Sequence, residues 1–581
     1  MKYFSEIALP LFALWALAFL IGIVVVWCMR RWTLRIGFVD RPDPNRKLHR
    51  GAISLGGGLS VLLACTVCYF VIRQAYDTQL LRPTKELLQA MEGDAEPLNA
   101  RQSLLDSGDS QGAEQGEPAV ANDHEKVERL LDMSSKRWRV LIVAAVLINF
   151  LGLLDDRLPL NGVTKLLLQV AVVAMLSSFW SSPGNVTIFG FTIGLGQISS
   201  TLLILWLLAT INSVNLIDGA DGVTGSFGAV AALAIAVVGL SNHNPDVAIM
   251  ATVLSASLAA FLVFNRPRAT IFLGDNGSML VGLLLGAMSV MSVSSRGAPQ
   301  DLWVPIAIMA VPLFDSFVAL WRRRLTGRSI YAGDRGHLHH LLLARLSQAG
   351  RSPAWIIPIF AGLSAVTGIG AVVSNAVSSD LPALASITLL IGGLIGFKVF
   401  GHAELKLALS TVRRHLNRGD GTSQGAHVSI VALQGNRRWE VVWQPLVQFA
   451  ESNGVSSLRL DLNMPWLHEG YHGTWNCRPL TEVKEQWMVR LPVICYGRVV
   501  GRLDVFGQAD GNGQFRSIET LSFLVAELQP SIERLLERRE TEGQTAVAVR
   551  PASDVADDSD LRPQPPSGAK LKPEPALVTS D

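Results

Sequence analysis
Apolar and polar stretches alternate along the first four hundred residues, and the apolar ones are close to twenty residues long, the length of helix needed to cross a bilayer. About eleven such blocks are read, near residues 6–28, 53–73, 138–154, 163–181, 197–217, 223–240, 246–264, 277–294, 302–321, 354–376 and 382–400. The pattern predicts an all-α polytopic membrane domain over 1–405. From about residue 426 it changes to strand-like runs (HVSIVAL, SSLRLDL, WMVRLPVIC, RVVGRLDVF) with helical runs near 443–453 and 515–539, which predicts an α+β domain over 426–540.

The polar interruptions carry as much information as the spans. Between successive apolar blocks lie a basic loop ending in Arg46, Lys47, His49 and Arg50, the pair Asp155/Asp156, the run NSVNLIDGADG from Asn212, the run FLGDNGS from Phe272, and GDRGHLHH from Gly333. An even number of spans separates neighbouring patches, so a chain crossing at every span returns them all to one face. Residues 29–50 and 321–351 are rich in Arg and Lys, whereas the loops at 241–246, 295–301 and 377–381 hold almost none. The positive-inside rule therefore puts the shared face in the cytoplasm, with the first span as a retained anchor. Residues 75–137 are polar and acid-leaning and fall on the opposite face as a disordered insert with short helices at 84–91 and 124–133. Residues 185–195 suit an exterior β-hairpin, and 541–581, rich in Pro, Asp and Ser, suit a disordered tail.

Composition agrees with the pattern: 49% of the 581 residues are hydrophobic and the mean hydropathy is +0.33, which excludes an ordinary soluble protein. The formal net charge of +2 matters less than its distribution among loops. The five cysteines are divided between spans and C-terminal domain, with no disulfide framework outside the membrane.

The acidic patches carry the candidate chemistry. A carboxylate in mid-membrane costs roughly 3 kcal/mol even on the lenient insertion scale, so Asp155, Asp156, Asp218, Asp221 and Asp275 belong at helix ends facing a polar cavity. Two like charges about 4 Å apart repel by roughly 4 kcal/mol at an effective dielectric of 20, a cost that a divalent cation relieves. Carboxylate and amide oxygens select a hard ion, and Mg²⁺ commonly takes one or two protein oxygens together with substrate phosphates; Mn²⁺ is the alternative. Asn212, Asn215, Asp218 and Asp221 step by three through a helix end, so some share a face. His337, His339 and His340 suit phosphate or sugar hydroxyls, and no Cys accompanies them to argue for zinc. The Gly56–Gly58 run fits helix packing better than ligand approach.

In this order and on one face, DDR, NSVNLIDGADG, FLGDNGS and HLHH resemble the polyprenyl-phosphate N-acetylhexosamine-1-phosphate transferases over roughly residues 5–400. That resemblance implies Mg²⁺-dependent transfer of N-acetylhexosamine 1-phosphate, GlcNAc-1-phosphate above all, from a UDP-sugar to undecaprenyl phosphate in a bacterial inner membrane, with UMP released. It implies Asp275 as metal ligand with Asn215 as companion, and Asp155, beside Asp156, orienting or deprotonating the lipid phosphate. It further implies Asp221, Phe272 and Arg50 at the nucleotide, and Lys165, His337, His339 and His340 toward phosphates or sugar, with Asn212 and Asp218 lining the same substrate site. The HLHH form is nearer the GlcNAc branch than the MurNAc-pentapeptide translocase, which is the runner-up. A transporter or a non-catalytic membrane sensor is the reading from another class. Neither the insert nor the C-terminal domain, which looks loosely GAF-like at pattern level, belongs to the family core. No nucleic-acid partner is expected, and the sequence leaves a homodimer open.

Overall fold
The computed structural model describes residues 2–40, 51–77, 119–180, 184–294, 300–326, 336–416, 427–434, 437–453, 455–464, 469–477, 486–495, 497–508 and 513–548. Arg50, the GDR of the histidine patch, most of the polar insert and the C-terminal tail lie outside them. The helices of the first four hundred residues are α1 (Lys2–Arg35), α2 (Gly57–Asp77), α3 (Ala119–Arg157), α4 (Gly162–Phe179), α5 (Ile198–Ile217), α6 (Val223–Ser241), α7 (Pro245–Asn265), α8 (Gly274–Ser292), α9 (Trp303–Ile308), α10 (Ala310–Thr326), α11 (Leu338–Gln348), α12 (Ile356–Val377) and α13 (Leu381–Gly396).

Among the described residues seven helices are long and apolar enough to cross a membrane, within α1, α3, α4, α5, α6, α7 and the segment Pro353–Val377. Of the expected eleven, seven thus meet that length and apolarity among the described residues, and the reasons the others do not are local. Gly57–Ile72 and Leu381–Gly396 are apolar but shorter. Helix α8 begins inside the polar run Gly274–Ser278, which lowers its mean hydropathy, and it is buried along nearly its whole length. The block expected at 302–321 is broken at Met309 into α9 and α10. Residues 124–133, expected as a short separate helix, belong to the first half of α3.

Helix α8 is the hub, packing on α2, α3, α5 and α6. Lipid tails are as apolar as leucine, so association here rests on close backbone approach at small residues. A Cβ on Gly58 would fall 1.7 Å from Asn276 Oδ1, and one on Gly152 would fall 2.3 Å from Asn276 Cα. Gly282 and Gly286 make the same kind of contact with Ile211 and Thr210 on α5.

The expected hairpin is present: β1 (Asn185–Ile188) and β2 (Phe191–Gly194) pair antiparallel across Phe189 and Gly190, both at positive φ, as a two-residue type I′ turn requires. In the C-terminal region five strands, 427–434, 455–464, 469–476, 486–495 and 498–508, form an antiparallel sheet in the order first, third, second, fifth, fourth. Helices Glu440–Ser452 and Gly513–Ala548 pack on it, and Trp443, Trp475, Leu458, Leu460 and Val505 fill a core of their own.

Candidate active site
Three acidic patches distant in sequence meet around one lysine. Asn161 caps α4 by accepting from the Thr164 backbone amide, and one residue further along Lys165 reaches out of that helix. Its ammonium lies 2.8 Å from Asp155 Oδ2 at the end of α3 and 2.7 Å from Asp275 Oδ2 in the first turn of α8. It also donates to Asn215 Oδ1 at 3.3 Å. Asn215 in turn donates through Nδ2 to Asp275 Oδ1 and Ser278 Oγ, at 2.8 and 2.9 Å. A cation thus stands between carboxylates that would otherwise repel. Asp155 is held in place by the Leu160 amide, which donates to its second oxygen at 2.7 Å. Its side chain is 8% accessible against 38% for Asp275, so Asp275 is the carboxylate open to a ligand.

Asp156 faces a different task. Its oxygens accept from the Asp275 and Asn276 amides and from Asn276 Nδ2, which makes it the cap of α8, supplied from another helix because Leu273 at the cap position has no capping bond. An anion there satisfies otherwise orphaned amides and suits the positive helix end. Gly274 makes this approach feasible, with φ of 72° and room for no Cβ, which would lie 2.8 Å from Asp156 Oδ2.

Glycine-containing loops bring the remaining patches in. Phe272 bonds through its backbone to Ser54 and Gly57, which docks the GAISLGGG segment on FLGDNGS. Asp221 Oδ2 accepts from the Ala269 amide, and Asn265 bridges the Gly222 amide to the Ile271 carbonyl. Asp218 ends α5. Desolvation, with the charges of Asp275, Asp156 and Asp221 nearby, pushes its carboxyl well above the ordinary range. Asn212 lies a turn back from Asn215 and bonds to Gln169 on α4, tying the two helices together.

The histidines pack on the same loops. His339 is 1% exposed, and neither ring nitrogen has a hydrogen-bond partner. A Cβ on Gly219 would fall 2.2 Å from its Nε2, so only glycine in the IDGADG run admits the ring. His337 stacks parallel to it at 5.9 Å and His340 lies 4.1 Å away between centroids. Burial and the neighbouring histidines push the His339 imidazole well below its usual range. His337 Nδ1 lies 2.7 Å from the buried Asp315 on α10, a residue the sequence reading did not single out. Asp315 interrupts an apolar block, and an ionisable residue inside a span is a functional signal by default. Ser278, Asn265 and Asn276 also escaped, because small amides and hydroxyls in loops give no comparable cue.

Asp155, Lys165, Asn215 and Asp275 thus come together directly, and Asp156 acts on the backbone of Asp275. His339 joins the Asp218–Asp221 loop, while Arg50 lies outside the described residues. Among those described, no group of three or more His, Cys, Asp or Glu is arranged to hold a metal unaided.

Residues 138–293, which contain the carboxylate cluster, match the model of glycosyl transferase family 4. Over this segment the chain is similar to glycosyl transferase family 4. Similar proteins are decaprenyl-phosphate N-acetylglucosaminephosphotransferases of Mycolicibacterium smegmatis, 38% identical over 39% of this chain and 61% of that protein, and of Mycobacterium tuberculosis, 35% identical over 40% and 64%. An undecaprenyl-phosphate alpha-N-acetylglucosaminyl 1-phosphate transferase of Haemophilus influenzae is 27% identical over 60% of this chain and 82% of its own length. The chain thus spans less than two thirds of the mycobacterial relatives' length. The family 4 segment ends before the histidine helix α11, which the fold returns to it.

Proposed function
We propose that the chain transfers N-acetylglucosamine 1-phosphate from UDP-GlcNAc to a polyprenyl phosphate, undecaprenyl phosphate above all, in a bacterial inner membrane with the site facing the cytoplasm. The observation that carries this is the Asp155–Lys165–Asp275 cluster with Asn215. It is an anion-rich site with one built-in cation at the end of a helical bundle, where a lipid phosphate and a water-soluble diphosphate can meet. The names of the family 4 relatives support acceptor and sugar alike.

An oxygen of the lipid phosphate attacks the β-phosphorus of the nucleotide sugar. The bond from that phosphorus to the α–β bridging oxygen breaks, the oxygen leaves on UMP, and the product is a lipid-diphosphate sugar. Such transfers are driven by positioning and charge stabilisation more than by covalent help. Lys165 supplies a positive charge to the phosphates. Asp155, fixed by Leu160, holds Lys165 and meets the incoming lipid phosphate. A monoester's second pKa is near 6, so its nucleophile is already largely ionised and Asp155 serves orientation before proton removal. His337, His339 and His340 face the nucleotide sugar, and Asp221 with Phe272 face the uracil.

Mg²⁺ fits this donor set: Asp275 offers an accessible hard oxygen, and the shortage of further carboxylates suits an ion completed by phosphate oxygens. When bound, it neutralises charge developing on the diphosphate. The test is UMP release from UDP-GlcNAc with undecaprenyl phosphate and Mg²⁺. Native protein turns over and Asp275→Ala loses on the order of 10²–10³-fold; full turnover by that variant overturns the metal assignment. UDP-MurNAc-pentapeptide serves as competing donor, and its preferential use would support the translocase reading.

A further inference from the structure
We infer that Asp315 is a positioning residue for the transfer reaction, acting through His337. This rests on the proposed reading, in which the histidines contact the nucleotide sugar. Asp315 is fully buried on α10, and both of its carboxylate oxygens are committed to the histidine motif. Oδ2 lies 2.7 Å from His337 Nδ1, and Oδ1 accepts from the Leu338 amide at 2.7 Å. His337 is the cap position of α11 and makes no capping bond of its own. The carboxylate therefore caps α11 from a neighbouring helix while it grips the ring of the residue at the cap.

Two consequences follow from the chemistry of that pair. A carboxylate only accepts hydrogen bonds, so Nδ1 carries the proton and Nε2 is the ring atom left for substrate. With backbone and ring fixed by one rigid group, the His337 plane is set where it stacks on His339 at an interplanar angle of 9°, and His339 lies on Gly219 of the IDGADG loop. Asp315 thereby sets the register of the histidine motif against that loop. Carboxylate–imidazole pairing of this kind fixes tautomer and orientation in other sites. An asparagine offers one acceptor oxygen and one NH2 donor: with Oδ1 on the Leu338 amide, Nδ2 faces the ring and favours the tautomer that carries the proton on Nε2 instead.

The experiment is a double-mutant cycle in detergent-solubilised full-length protein, with UMP release from UDP-GlcNAc and undecaprenyl phosphate as readout. Asp315→Asn lowers kcat on the order of 10²-fold with a smaller change in KM, as misplacement of a reacting-site group does. In a His337→Gln background the same change costs less than about 3-fold, because its route of action is gone. A loss as large in that background as in the native chain overturns the inference and marks Asp315 as merely structural. Should Asp315→Asn fail to fold, Asp315→Glu, which keeps both acceptors on a longer arm, is read in the same cycle.

A second readout needs no turnover. Carbethoxylation of His337 by diethyl pyrocarbonate, which needs an unprotonated ring nitrogen, followed by peptide mass spectrometry, falls several-fold in Asp315→Asn while that of His340 is unchanged. Equal His337 reactivity in the two proteins overturns the inference. A native chain without turnover on UDP-GlcNAc would refute the transferase reading, and the reactivity comparison would still decide whether Asp315 holds the ring.

Discussion
At the scale of single residues, Lys165 is the pivot, because it alone of the cluster's side chains carries positive charge between Asp155 and Asp275. Lys165→Met leaves the two carboxylates uncompensated, so kcat falls on the order of 10²–10³-fold while the Mg²⁺ concentration for half-maximal rate falls, because the more negative site attracts the cation more strongly; a Mg²⁺ titration of steady-state rates checks both. Lys165→Arg does not restore the rate, since a planar fork cannot replace a point charge between two carboxylates. A variant with native rate and metal dependence would contradict this role. His339 gives a pH signature. Its folded-state pKa lies well below the 6.5 of the free side chain, so the unfolded chain binds the extra proton below about pH 6.5 and the folded one does not. Its contribution to stability is complete above that pH and is lost as pH falls toward the folded value. Thermal unfolding between pH 7.5 and 5.5 should show a smaller drop for His339→Asn than for the native chain; identical slopes would show that the ring is not held neutral.

At the scale of elements, the site depends on how closely α2 and α3 approach the start of α8. The contacts of Gly58 and Gly152 with Asn276 leave no room for a methyl group. Gly152→Ala is expected to cost about 1–3 kcal/mol through overpacking and, because Asn276 also bonds to Asp156, to cut turnover more than a comparable packing defect remote from the site. Melting temperature and kcat measured together test this. The glycine run at 56–58 was legible as packing, and the acidic patches were legible as one site, because charge in an apolar chain is rare enough to stand out. The parts Asp156 and Asp315 play were not. Each caps a helix from a different helix, and capping across elements follows no sequence spacing. Lys165 was recognised as belonging to the site but not as its bridge, since its partners lie on α3 and α8. Helix α8 misses the apolarity of a membrane span for a related reason: it is shielded by neighbouring helices and tolerates a polar first turn that a lipid-facing helix would not.

At the scale of the whole molecule, the helical bundle and the C-terminal sheet have separate hydrophobic cores. We propose accordingly that the sheet region, 426–540, is a cytoplasmic appendage for regulation or assembly. Deleting 426–581 is expected to leave basal UMP release within about 3-fold, below 1 kcal/mol in barrier; abolished activity in a properly inserted truncation would assign that region a catalytic part. The central claim concerns which bond breaks, and UDP-GlcNAc carrying ³²P at the β-position tests it most directly. With undecaprenyl phosphate and Mg²⁺, the label is predicted to move into the lipid fraction while unlabelled UMP is released; label remaining in the aqueous phase as UDP would mean that only the sugar is transferred, and would contradict the proposed chemistry.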